Sequence, residues 1–228
     1  MRRVLVTVWA VVAALGVAWA QSPVSSIPVP DEASLREAYR LKRSPPPEGA
    51  VPCAAADSGD AAVVKLVLER TARGFAPGGI AAPHVFAHHD GDRLHLQLID
   101  PSGPAGLLDR GGFDGDHWEL FFAAGRYRPY RQLGISVTGG VASCAVGEGA
   151  DYGLWPVRAE VAVLPDPAAW SIKVSIPLAD LAGGGLKTGD TLYFNALRLY
   201  ASGYGPLMWS PVFQGGYHSP ERLGALRL

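Results

Sequence analysis

Trp209-Ser210-Pro211 and the following Tyr217-His218-Ser219-Pro220 put a flat indole, a proline corner and a second aromatic loop near the end of this 228-residue chain. An indole stacks on the C–H face of a sugar ring, while a phenol and an imidazole supply the fixed polar partners that hydroxyls need. The alternative is that Trp209 packs under the loop as core. Trp118 and Trp170 stand in runs of alternating apolar residues and read as structural; Trp155, beside Pro156, is open to either role.

Glu119 and Arg198 fall on separate strand-like segments. They can pair beneath a pocket floor, holding a carboxylate ionised, or form a purely structural ion pair. Asn195, able to donate and accept at once, reads as structural. Asp114 and Asp116 are hard oxygen donors that, with loop carbonyls, can hold Ca²⁺. With Glu119 they also raise glycoside hydrolysis, which strand alternation disfavours because the carboxylates do not all share a side.

His84, His88, His89 and His95 cluster around one turn. His88 and His89 point to opposite faces, and only His88 and His95, expected diagonal across the pair, come near enough for a shared metal. Gly-x-Ser-x-Gly does not occur, and neither cysteine has an activating base nearby in sequence, so nucleophilic catalysis has no support.

These residues sit in short alternating segments separated by Gly, Pro and Asp. Asp90-Gly91 predicts a tight hairpin turn within Pro83 to Asp100, setting Ala87 opposite Leu94 and Val85 opposite Leu96, with this face toward the core. Further strands are expected over His117–Ala123, Gln132–Thr138, Pro156–Val163, Trp170–Ile176, Leu192–Tyr200 and Leu223–Leu228, and Val63–Glu69 is strand or helix. The pattern predicts an all-β fold, an antiparallel β-sandwich of jelly-roll or immunoglobulin-like type, with a short helical turn near 178–182.

Hydrophobic residues make up 48% of the chain, enough for a substantial core, and the net charge of −1 provides no basic field for nucleic acid or anionic lipid. Met1-Arg2-Arg3, an apolar run from Val4 to Trp19 and Ala18-Trp19-Ala20 predict a signal peptide over 1–20, hence a secreted or periplasmic protein with no membrane attachment after cleavage. Residues 21–52 read as a flexible Pro/Ser-rich leader, with a helical turn or two from Asp31 to Arg43, and 53–228 as the domain. In an oxidising compartment Cys53 and Cys144 are either a disulfide or two separate thiols.

Four segments in order resemble the family-9 carbohydrate-binding modules. The tail, Met208-Trp209-Ser210-Pro211, then His218-Ser219-Pro220-Glu221-Arg222-Leu223-Gly224 and a closing strand, is similar to that family's Trp-Ser-Pro, loop, His-x-Pro-x-x-(Phe/Leu)-Gly signature. Gly115-Asp116-His117-Trp118-Glu119-Leu120-Phe121 looks like its acidic strand, Tyr130-Arg131-Gln132 like the next, and Trp170 to Pro177 like its Trp-x-x-Glu-x-x-Ile-Pro. The resemblance covers roughly 81–228.

It implies a non-catalytic β-sandwich that takes plant-polysaccharide or oligosaccharide sugars such as cellulose or xylan, a chain end among them, and serves alongside glycoside hydrolases. Calcium is structural in some members. By position Phe113 and Trp209 would clamp the sugar. Glu119, Gln132, Ser136 and Arg198 would contact hydroxyls, and Tyr217-His218 would close one side. Gly134 stands where sugar-binding members commonly have Arg, and Phe113 replaces a clamp tryptophan; both departures weaken a sugar site. Two other readings remain: a b-type haem carrier with Met208 and His218 as axial ligands, and a decayed module used in surface assembly.

Overall fold

The computed structural model describes residues 30–53, 63–110, 114–147, 152–203, 205–214 and 216–228. The predicted signal peptide and Phe113 lie outside the described residues. One helix, α1 (Glu32–Arg43), precedes the strands β1 (Glu48–Ala50), β2 (Val64–Val67), β3 (Arg70–Thr71), β4 (His84–His89), β5 (Arg93–Asp100), β6 (His117–Ala123) and β7 (Tyr130–Ser136). Then come β8 (Val141–Val146), β9 (Gly153–Leu154), β10 (Glu160–Leu164), β11 (Trp170–Pro177), β12 (Thr191–Leu199), β13 (Leu207–Met208) and β14 (Gly224–Arg227), with 3-10 turns at Leu178–Asp180 and Pro220–Arg222.

The strands form two sheets. One has nine strands in the order β1-β14-β12-β6-β7-β8-β9, with β13 added to β12 and β3 to β13; the other has five, β10-β11-β5-β4-β2. All pairings are antiparallel except β1 with β14. The all-β sandwich expected from the alternating segments is therefore what the chain forms. Val85, Ala87, Leu94, Leu96 and Leu98 from the smaller sheet meet Trp118, Leu120, Phe122, Leu133, Ile135 and Phe194 from the larger one. Burying such side chains is the main favourable term of folding. Trp118, Trp155 and Trp170 are all buried in this core.

The hairpin register differs from the expected one by two residues: Ala87 faces Leu96, Val85 faces Leu98, and His88 stands directly opposite His95 rather than diagonal to it. The turn is centred on Gly91-Asp92, because the Asp90 carboxylate accepts from the amides of Asp92 (3.0 Å) and Arg93 (2.7 Å), and Gly91 takes φ 99°. Moving a turn centre by one residue shifts every partner by two. Parity, and so the core face, is unchanged.

Residues 30–53 are more ordered than a flexible leader. Asp31 caps α1 through Ser34 N (2.7 Å), β1 adds in parallel to β14, and Val51 is buried in the core. Arg222 donates to the Ser44 carbonyl (3.0 Å) just past the helix end and ties it to the tail. The strand expected from Pro156 begins only at Glu160, since Trp155 turns into the core and its carbonyl accepts from Val157 N (2.8 Å). β8 escaped detection because Val-Ala-Ser-Cys-Ala-Val alternates small residues weakly.

Cys53 and Cys144 are free thiols, not a disulfide. Cys53 bridges to His89 at the end of the five-stranded sheet, whereas Cys144 pairs with Gln132 inside the nine-stranded one. Among the described residues no helix is long and apolar enough to cross a membrane.

Candidate functional site

β6 is buried along its whole length, although only alternate residues face the other sheet. Something must therefore cover its outer face. Val212, Tyr217 and Leu223 of the C-terminal segment pack there with Phe121, Tyr130, Leu197 and Met208 in a second, smaller apolar cluster. Asn195 fixes the start of this segment: its side-chain oxygen accepts from Ser210 N (2.9 Å) while its amide donates to Ser210 O (2.8 Å).

Pairing across the ladder decides which predicted residues meet. Glu119 pairs with Gly134 and Leu197, Phe121 with Gln132 and Asn195, and His117 with Ser136. Paired residues share a face. Glu119, Gln132 and Ser136 thus lie on the outer face of the nine-stranded sheet, beneath the segment that carries Tyr217 and His218. Ser136 is occupied in its own turn, accepting from Gly140 N (3.0 Å).

Glu119 forms the polar floor. It is 7% exposed; one oxygen lies 3.4 Å from His117 Nε2, and the other has no hydrogen-bond partner among the described residues. The His117 ring is held by Nδ1 donating to the Gly115 carbonyl (2.8 Å). Gln132 lies two residues along the neighbouring strand, its side-chain oxygen 3.6 Å from the Cys144 thiol.

Aromatic rings border this floor. Tyr130 Oη and His218 Nδ1 are 2.6 Å apart, and Phe121 and Tyr152 each meet the His218 ring edge-on, at 5.8 and 5.7 Å between centroids. Tyr152 is 63% exposed, so this phenol remains open to a ligand. Burial pushes the Tyr130 hydroxyl up to about 12, and burial followed by the Glu119 charge raises both Tyr217 and Cys144. For His218 burial dominates and holds the imidazole low, with Glu119 opposing. The Tyr130 hydroxyl and the His218 imidazole hold each other through one hydrogen bond. Sequence reasoning did not single out His117, Phe121 and Tyr130 as site residues, although counting by twos from Glu119 along β6 and across to β7 reaches all three.

Trp209 does not join them. Met208 pairs with Leu197 on the outer side, so the next residue turns inward: Trp209 N donates to Ala196 O (3.2 Å) and its ring lies 6.2 Å from Phe194. A Cβ on Gly224 would come within 2.3 Å of the indole, a measure of how closely the closing strand passes beneath it. The remaining edge lines a cleft of about 540 Å³ beside α1, with Arg40, Pro47, Arg70 and Arg222, and no second aromatic residue among the described residues lines it.

Arg198 is also elsewhere. It is fully buried between the sheets, bound to Asp100 (2.7 Å) and Asp116 (2.7 Å), with Tyr200 and Trp170 against its guanidinium at 4.2 and 4.7 Å, and it also donates to the Leu199 carbonyl. The expected Glu119–Arg198 pair is not formed. Asp116 spends its second oxygen on Leu108 N (2.8 Å), Asp114 is exposed, and no group of three metal-ligating side chains occurs among the described residues. Met208, one haem-ligand candidate, is packed in the small cluster, and the His218 ring is held by Tyr130, Phe121 and Tyr152.

The fold is an antiparallel β-sandwich that recurs among solved structures. Among solved structures the chain is similar to a Bacteroides uniformis protein described as a candidate carbohydrate-binding protein, at 16% identity and TM-score 0.56, covering 80% of this chain and 99% of that one. It is also similar to a family-9 carbohydrate-binding module from Caldicellulosiruptor kristjanssonii, seen with cellotriose and with glucose. Both comparisons give 11% identity and TM-score 0.55 over 78% of this chain, and cover 93% and 95% of the module. No protein-family model matches the sequence. No curated protein matches it.

Proposed function

We propose that the protein binds carbohydrate without catalysis on the outer face of the nine-stranded sheet. One observation carries the reading: the buried Glu119 carboxylate keeps an oxygen without a partner among the described residues, on the same face as Gln132 and under a rim of aromatic rings. A buried, unpaired acceptor is costly, and a ligand hydroxyl would satisfy it. Tyr152 would supply the open stacking surface and Tyr217-His218 the adjustable wall. The fold shared with a module that holds cellotriose and glucose supports a β-linked glucan as the first ligand to try.

A binding role also suits the chemistry present. Asp116 is committed to Arg198 and Glu119 faces the opposite side of the sheet, so the pair of facing carboxylates that glycoside hydrolysis needs is not assembled by them. We take the protein to be exported, in keeping with its N-terminal sequence.

Calorimetric titration with glucose, cellotriose and xylo-oligosaccharides tests the proposal. Saturable binding should weaken about tenfold or more in Tyr152→Ala and in Glu119→Gln, the scale of one lost stacking contact or one charge-assisted hydrogen bond. Silence across a broad glycan array, or affinities unchanged in both variants, would overturn it.

A further inference from the structure

The five-stranded sheet carries a groove on its own outer face, on the far side of the sandwich from Glu119. Its volume is about 510 Å³. Register places two adjacent rows of side chains across the strands. One row runs Lys65, Phe86, Gln97, Lys173, Ala162; the other runs His88, His95, Ser175, Glu160. Five strands at about 4.8 Å spacing give the first row a length of roughly 19 Å. That suits an extended ligand better than a single ring.

The chemistry of the rows is specific. Phe86 offers a half-buried ring with the Lys65 ammonium 5.6 Å from its centroid, and the imidazoles of His88 and His95 stack at 4.8 Å, 16° from parallel. Gln97 and Ser175 supply short hydrogen-bonding groups in the floor. The carboxylates nearby are already used: Glu160 pairs with Arg93 (2.9 Å), and Asp90 holds His95 (2.8 Å) and its own turn. Lys65 and Lys173 have no carboxylate within ion-pair distance among the described residues. Flat π surfaces, short polar groups and two cations without counter-charges in one row are what an acidic sugar chain requires.

We propose that this transverse groove binds an acidic, uronate-bearing oligosaccharide, with Phe86 and the imidazole pair as the stacking platform and Lys65 and Lys173 as partners of the carboxylates. A peptide fits less well, because the groove crosses the face of the sheet at right angles to the strands, whereas main-chain pairing runs along an edge strand. The site shares no residue with the Glu119 face, so each reading stands or falls without the other.

The test is titration of the full folded protein with oligogalacturonate at low and moderate salt, followed by NMR shift mapping. Binding should weaken with salt, as ion pairs at an exposed site do. It should fall about tenfold to hundredfold in Lys65→Glu/Lys173→Glu, and persist in Glu119→Gln. Phe86→Ser, at a partly exposed position, gives an uncharged second variant and should weaken binding as well. Absence of saturable binding, unchanged affinity in both the lysine and Phe86 variants, or shifts confined to β6 and β7 would overturn the proposal.

Discussion

Glu119 and Arg198 lie on adjacent, hydrogen-bonded strands and face opposite sides of the same sheet. Glu119 pairs with Leu197, so the next residue, Arg198, points into the sandwich. One step along a strand separates a carboxylate on the outer face from a guanidinium that bridges Asp100 of one sheet and the residue preceding β6 of the other. The same arithmetic turns Trp209 away from Glu119.

Trp209 is predicted to act through stability rather than binding. Trp209→Ala removes a ring packed on Phe194 and Gly224, and should cost about 2–4 kcal/mol, toward the lower part of the range for large core truncations because one edge is open. Urea unfolding measures the loss. Sugar affinity of the folded variant at low temperature should stay close to that of the parent.

Arg198→Met strands two carboxylates, one of them wholly buried. Breaking one partner out of such a network costs about 3–5 kcal/mol, whatever the net contribution of the intact network. The variant should unfold at clearly lower urea. Recovery in a variant that also carries Asp100→Asn and Asp116→Asn would identify the uncompensated charges as the cause.

Stability should fall on mild acidification. Burial holds the imidazoles of His84, His88, His89 and His218 below the ordinary histidine value. The unfolded chain then binds protons first as pH drops. The contribution is present above the unfolded value of about 6.5 and is lost as pH falls through the lower folded values. The melting temperature should decline from about pH 7.5 to about pH 5. His218→Asn, which keeps a hydrogen-bonding group near Tyr130, should flatten the slope.

Reducing agents should leave the melting temperature unchanged, since both cysteines are thiols. Thiol titration of the native protein should show Cys53, which is exposed, reacting fast. Cys144 should react slowly, because burial and then the Glu119 charge disfavour its thiolate. A single slow phase, or no reactive thiol, would contradict the arrangement.

Much of the architecture was legible along the chain. Trp170–Pro177 alternates cleanly against a buried face, and Asp31 announced the start of α1, because pattern and capping are local properties. The 81–228 resemblance pointed to the fold that solved structures share. The hairpin turn shows where local reasoning ended: Asp90-Gly91 named the right neighbourhood, but hydrogen bonds to Asp92 and Arg93 chose the centre.

Alternation along the chain set which residues of a strand share a side, Glu119 with Phe121 on β6 and Gln132 with Ser136 on β7; the register between those strands then grouped Glu119, Gln132 and Ser136 on one face of the larger sheet. Only the tertiary structure decided that Trp209 and Arg198 face away from that grouping, that Cys53 and Cys144 stay apart, and that the C-terminal segment folds over β6. The physical reason is that a strand's period fixes relative sides within one segment. Pairing between segments distant in the chain is set by the packing of the whole core.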